Sequence, residues 1–184
     1  MRFKTYITAW LCAAILAGMP ATASAQSKEY EIKAAFLFNF AQFVNWPSAA
    51  FAETNAPFCI GILGDDPFGA ALDQTVQGEN VDNRKILIER SQNIGDLKNC
   101  QMIFVSRSEK RHIGEILTGL DTRPVLTVSE VEGFAQSGGD INFFLAGTKV
   151  RFEINAGATQ SDGLKVSSQL LSLGKIVQTG KDAK

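Results

Sequence analysis

Three short apolar runs constrain the fold of this chain more than any other feature. Pro57-Phe58-Cys59-Ile60-Gly61-Ile62-Leu63-Gly64, Cys100-Gln101-Met102-Ile103-Phe104-Val105-Ser106 and Pro124-Val125-Leu126-Thr127-Val128 are nearly continuous in apolar residues. Runs of this length without alternation mark strands buried on both faces, the pattern of a parallel sheet covered on both sides. Segments with helical signals lie between them. Pro67 suits the first turn of a helix over residues 68–76, with an Asp before it as cap. Residues 109–120 form a second helix with Ile113, Ile116, Leu117 and Leu120 inward. Ile86-Leu87-Ile88 adds a strand after a turn-rich loop over residues 78–83.

The flanks complete the pattern. Residues 28–45 read as a first helix, with Ser27 as N-cap and Glu29 and Glu31 at the positive end of its dipole. Ile32, Phe36, Phe40 and Phe43 share one face, Phe38 falls off that stripe, and Trp46-Pro47 stops the helix. Ser129 caps a short helix over residues 129–135, with Glu132 three positions on. Gly138-Gly139 is a turn, and residues 141–145 and 149–154 form a hairpin around Gly147. A last helix covers residues 167–177 with Leu170, Leu171, Leu173 and Ile176 as its apolar positions. The expected fold class is α/β: a three-layer α/β/α domain with a mostly parallel sheet and an antiparallel edge hairpin. The order of the strands does not follow from the pattern.

The first 25 residues carry an export signal. Arg2 and Lys4 are followed by an uncharged apolar run over residues 6–19 and by Ala23-Ser24-Ala25, a small-x-small cleavage pattern. The run is about 14 residues, short of the roughly 20 that span a bilayer. Cleavage after Ala25 removes 25 of the 184 residues and leaves 159, one domain with room for a sizeable core. Losing Arg2 and Lys4 shifts the formal charge from −1 to −3. So weak a charge argues against nucleic acid, and no polybasic face is present to hold an anionic membrane.

Cys12 lies inside the export signal, which leaves Cys59 and Cys100. One pair in an exported chain is most simply a disulfide, with two free thiols as the alternative. Closing that loop of about 40 residues stabilises the fold by about 4 kcal/mol in the chain-entropy treatment. No metal is expected, because there is no CxxC spacing and His112 is the only histidine.

Other candidate sites are weighed against plainer roles. Asp65 and Asp66 follow a core strand, where open α/β folds place ligands, so they form a candidate ligand rim; the plain role is a turn acid and a helix cap. Ser106, Ser108, His112 and Asp121 lie close in sequence, but no GxSxG elbow frames a serine, and no catalytic residue is assigned. No glycine fingerprint or Walker lysine is present, and no cofactor is expected. Phe36, Phe38, Phe40 and Trp46 exceed what one buried stripe needs, so part of that set is a candidate partner-binding patch. Arg151 and Glu153 alternate with apolar residues as on an edge strand; they are candidates for a polar partner-recognition site, and the plain role is a solvated face on which they pair.

Taken together, several segments resemble the YfiR family of Gram-negative periplasmic regulators (YfiR/HmsC-like). They are Lys33-Ala34-Ala35-Phe36-Leu37-Phe38-Asn39-Phe40 with Phe43-Val44-Asn45-Trp46-Pro47, the stretch from Cys59 to Gly69, Pro124-Val125-Leu126-Thr127-Val128-Ser129, Gly138-Gly139-Asp140-Ile141-Asn142-Phe143, Val150-Arg151-Phe152-Glu153-Ile154-Asn155, and Ser167-Ser168-Gln169-Leu170-Leu171. The resemblance covers nearly the whole chain after residue 25. It implies a non-enzymatic periplasmic repressor of an inner-membrane diguanylate cyclase, acting on the cyclase's periplasmic sensor domain. It also implies sequestration by an outer-membrane lipoprotein, redox tuning through disulfides, and an output in cyclic di-GMP, biofilm and motility. Cys59 and Cys100 match one cysteine pair of the family; a second pair found in some relatives is absent. The expected protein is thus a homodimeric periplasmic regulator, against the alternative of a periplasmic small-ligand-binding module.

Overall fold

The computed structural model describes residues 21–120 and 123–180. Most of the segment expected to be an export signal, and Asp121, lie outside the described residues. Phe58–Leu63 forms β2, buried along its whole length, as a strand without alternation must be. It belongs to an eight-stranded sheet with β4 (Arg84–Ser91), β5 (Met102–Val105), β6 (Leu126–Ser129), β7 (Ile141–Ala146), β8 (Lys149–Asn155), β10 (Lys175–Val177) and β3 (Asn80–Val81). The order is β10-β8-β7-β6-β5-β2-β4-β3. Pairing is parallel from β4 through β7 and antiparallel between β7 and β8. β1 (Val44–Asn45) and β9 (Lys165–Val166) make a separate antiparallel pair. The helices are α1 (Ala21–Phe43), α2 (Ala70–Val76), α3 (Ile113–Leu120), α4 (Ala156–Ser161) and α5 (Ser168–Leu173). Among the described residues no helix is long and apolar enough to cross a membrane.

The two sheet faces separate by residue parity. Phe58, Ile60, Ile62, Met102, Phe104, Leu126, Val128, Ile141, Phe143, Phe152 and Ile154 pack with Ala34, Leu37, Phe40 and Ala41 of α1, Leu72 and Val76 of α2, and Leu170 of α5. On the opposite face Cys59, Leu63, Ile103 and Val105 pack with Leu97, Cys100, Phe134, and Ile116 and Leu120 of α3. This is the expected α/β/α arrangement. The hairpin of β7 and β8 lies near one end of the sheet, with one more strand outside it. Lys175, Ile176 and Val177 pair parallel to Glu153, Ile154 and Asn155. β8 is therefore interior, not the edge strand its alternation suggests.

Several expected elements change at their ends. The last helix stops at Leu173, because Gly174 lies against β8: a Cβ there would come 2.7 Å from the Phe152 ring. The chain then continues as β10. Residues 131–138 form turns rather than a helix; the Ser129 hydroxyl donates to the Val105 carbonyl and accepts the Val131 N–H, so it closes a turn at the strand end. Within residues 78–83 a two-residue turn joins β3 to β4, with Asp82 and Asn83 at φ 48° and 64°. Asp and Asn tolerate that left-handed geometry. The Asn155 side chain caps α4 by accepting the Ala158 N–H, an element the periodicity does not reveal. In α1 the buried face is Lys33, Ala34, Leu37, Phe40 and Ala41, and Ile32 is 39% exposed.

Candidate functional site

An open α/β sheet presents its binding residues at the carboxyl ends of its parallel strands, above all where the winding direction reverses. Here that point lies between β2 and β5, and the chain fills it with its own side chains. Gly64 has φ 86°, and a Cβ there would come 2.2 Å from Ser108 Oγ. The Asp65 N–H donates to Ser108 Oγ at 3.0 Å, and Ser108 Oγ donates to Glu109 Oε1 at 2.9 Å. Of the expected ligand rim, Asp66 is a structural residue. Its Oδ1 accepts the Phe68 N–H at 2.8 Å, and its Oδ2 accepts Arg90 Nε at 2.7 Å. Hydrogen bonding to Asp73, and also to Asp66, raises the Arg90 pKa above its ordinary value. Asp65 is exposed beside Gln92. His112 Nδ1 lies 3.2 Å from Glu109 Oε2, so the carboxylate stands between the serine and the histidine. A nucleophilic triad needs the histidine in the middle.

The ends of β5 and β6 are different. They run into Arg107 and Glu130, and the structure brings both to α1. Lys33, 2% exposed, forms ion pairs with Glu130 and Glu29. Its Nζ lies 4.6 Å from the centre of the Tyr30 ring. The Tyr30 hydroxyl donates to Glu130 Oε1 at 3.0 Å, and Arg107 Nε reaches the same oxygen at 3.2 Å. Burial, and then the charge of Glu130, pushes the Tyr30 hydroxyl pKa well above its usual range. A buried charge is tolerated only with partners of this kind.

Above this charged floor the β7–β8 hairpin projects. β7 pairs with β6 only at Ile141 and Asn142, so Phe143–Ala146 continue past the end of β6. A cleft of about 900 Å³ lies beside the arm, lined by Lys33, Arg107, Glu130, Phe144, Leu145 and Glu153 among others. A second, of about 710 Å³, includes Tyr30, Ile32, Arg107, Leu145 and Val150. Phe144, Leu145, Ile32 and Ile176 are exposed large apolar residues around these clefts, and Leu145 and Ile176 are each 50% exposed. This arrangement has apolar anchors, a paired ionic floor and a polar rim, which suits a protein partner.

The expected partner patch on α1 is only partly at the surface. Phe40 is fully buried, stacked on Phe143 and edge-on to Phe152. Trp46 is buried against Phe58, and its indole N–H donates to the Ala41 carbonyl at the end of α1. Neither is available to a partner, because the sheet already takes their rings. Phe36 and Phe38 are half-buried against the same core. Arg151 is exposed, opposite Phe144. Glu153 accepts from Gln136 at 2.8 Å and from Lys175 at 2.8 Å. The sequence reading missed Lys33, Glu130, Phe144 and Leu145. The one available signal was a lysine one turn before Leu37, within the buried stripe.

Cys59 and Cys100 are joined in a disulfide, with Cα atoms 4.4 Å apart. It ties β2 to the segment entering β5. The Gln101 side chain sits in the same corner, accepting the Cys59 N–H and donating to the Ala50 carbonyl.

Comparison with known proteins gives one result. The family model described as YfiR/HmsC-like matches residues 30–175. No curated protein matches the chain.

Proposed function

The chain belongs to the YfiR/HmsC-like family, and from that premise we propose that it is a non-enzymatic periplasmic regulator of cyclic di-GMP signalling. It represses an inner-membrane diguanylate cyclase through the cyclase's periplasmic sensor domain, and so controls biofilm and motility. Residues 1–25 export it, and residues 26–184 form its single domain. It works as a homodimer, and an outer-membrane lipoprotein is the partner that sequesters it. The observation that carries this reading is the family match over residues 30–175. The arm supports it: exposed Phe144 and Leu145 stand over a charged floor that the fold has already neutralised by pairing. Half-buried Phe36 and Phe38 and exposed Arg151 extend that contact surface.

The nucleotide is made on the far side of the membrane from an exported protein, so the effect has to pass through the transmembrane partner. Preferential binding to the inactive state by about 1.4 kcal/mol shifts such an equilibrium tenfold. Deleting the gene should raise cyclic di-GMP and surface attachment, and an exported copy should reverse both. A copy lacking residues 1–25 should fail to complement. A Leu145→Glu protein should fold and be exported yet repress poorly. Full repression by the cytoplasmic copy would overturn the mechanism, and full repression by Leu145→Glu would remove the arm from the contact surface.

A further inference from the structure

Three side chains converge above Gly61, and only two of them belong to the disulfide. Gly61 pairs with Glu89 across β2 and β4. Cys59 lies two residues from Gly61 on the same strand and the same face. With no side chain of its own, Gly61 leaves room for Cys100, whose Sγ would lie 3.2 Å from a Cβ at that position. The Cys100 sulfur is also 3.7 Å from Glu89 Oε2. The two sulfurs and a carboxylate oxygen of Glu89 lie within 4.8 Å of one another. Cys59 and Cys100 are buried, and Glu89 is half-buried. Among the described residues no Lys, Arg or His forms an ion pair with Glu89.

We propose that reduction of the Cys59–Cys100 disulfide converts this corner into a site for one thiophilic divalent cation of the zinc type, held by Cys59, Cys100 and Glu89 with water as the fourth ligand. Two thiolates and a carboxylate are ordinary zinc ligands, and a tetrahedral ion at usual bond lengths holds them roughly 3.5–3.8 Å apart. The Cys100–Glu89 separation already meets that distance, and reduction frees the two sulfurs to part.

The chemistry balances in two steps. A thiol reductant supplies two electrons and two protons, is itself oxidised to a disulfide, and leaves Cys59 and Cys100 as thiols. The cation then displaces both thiol protons and forms two metal–sulfur bonds. The charge of the corner is −1 before and after: carboxylate with two neutral thiols, then a dication with three anionic ligands. Each thiol gives up its proton as its metal–sulfur bond forms, so affinity rises with pH. Spacing along the chain hides the site, since its ligands come from β2, β4 and the segment before β5.

Cobalt(II) titration of the purified protein tests this, with Cys12→Ser introduced if Cys12 is retained. The phosphine-reduced protein should bind one cobalt per chain, with sulfur-to-cobalt charge-transfer absorption and tetrahedral d–d bands, and zinc should displace it. The oxidised protein should give neither band. Glu89→Gln should weaken binding at least tenfold and leave the oxidised protein's melting curve unchanged. No charge-transfer band in the reduced protein, or equal affinity in Glu89→Gln, overturns the proposal. If the reduced protein loses its helical signal, recovery on adding zinc supports the site, and failure to recover overturns it.

Discussion

The two halves of the sheet use their second face in opposite ways. In β2 and β5 both faces are apolar: one carries Phe58, Ile60, Ile62 and Phe104 toward α1 and α2, the other Cys59, Leu63, Ile103 and Val105 toward α3. In β7 and β8 the first face is equally apolar, with Phe143, Phe152 and Ile154 under α1. The second face carries Asn142, Phe144, Arg151, Glu153 and Asn155 instead. Its partners are side chains and carbonyls of the 131–138 turns and the chain end: Gln136 to Glu153, and Asn155 to the Ala135 carbonyl and Thr179. The first half is a scaffold whose stability comes from area removed from water. The second half spends its polar groups on directional contacts, and it is there that the exposed arm and the charged floor meet.

If that division is right, the largest loss should come from the shared apolar face. Phe40 contacts Phe143 and Phe152 from α1 and is fully buried. Phe40→Ala should lower unfolding stability by about 4 kcal/mol, the loss of a large buried ring plus a cavity. A urea titration showing less than about 1 kcal/mol would mean that α1 does not hold the two halves together.

The buried ion pair should come next. Lys33→Met leaves Glu130 buried with only the Tyr30 hydroxyl and Arg107, and should cost about 3 kcal/mol. Adding Glu130→Gln should recover a good part of that loss, since the orphaned charge is gone. Simple additivity of the two substitutions in a double-mutant cycle would show that the pair is not coupled.

The smallest effect should be a change of pH slope in the polar half. Asp140 is fully buried; its Oδ2 accepts the Thr127 N–H at 2.8 Å and the Thr127 hydroxyl at 2.7 Å, and the Asp162 carboxylate is a neighbouring charge. Burial, and then the neighbouring Asp162 charge, pushes its pKa up to about 8. Between about pH 4 and pH 8 the folded protein holds a proton that the unfolded chain has lost, so stability falls as pH rises through that window. Asp140→Asn keeps an acceptor for Thr127 and carries no charge at any pH in this range. It should match the wild type near pH 4 and become the more stable of the two toward pH 8. Parallel stability curves across that range would exclude a proton held on Asp140.

Much of this was legible along the chain and some was not. The runs at Phe58, Met102 and Leu126 announced buried strands, because burial on both faces leaves no room for alternation. Phe40 and Trp46 show the limit of counting aromatic residues. Composition reports a surplus of rings over one stripe, but not whether a sheet takes them up. Leu173 to Val177 shows another limit. The apolar spacing fits a helix as well as a strand, and Gly174 against Phe152 decides for a strand.

The sequence by itself determined the layering, the parallel core and the hairpin, and made a bond between Cys59 and Cys100 the simplest outcome. Those features follow from the period of apolar residues and from a count, both properties of neighbours in the chain. Only the tertiary structure decided the strand order, the Lys33–Glu130 pair and the convergence of Cys59, Cys100 and Glu89. Each of these depends on groups far apart in sequence: 97 positions separate Lys33 from Glu130. A buried charge or a ligand atom is stabilised by what lies within a few ångströms of it, and local periodicity carries no information about that neighbour.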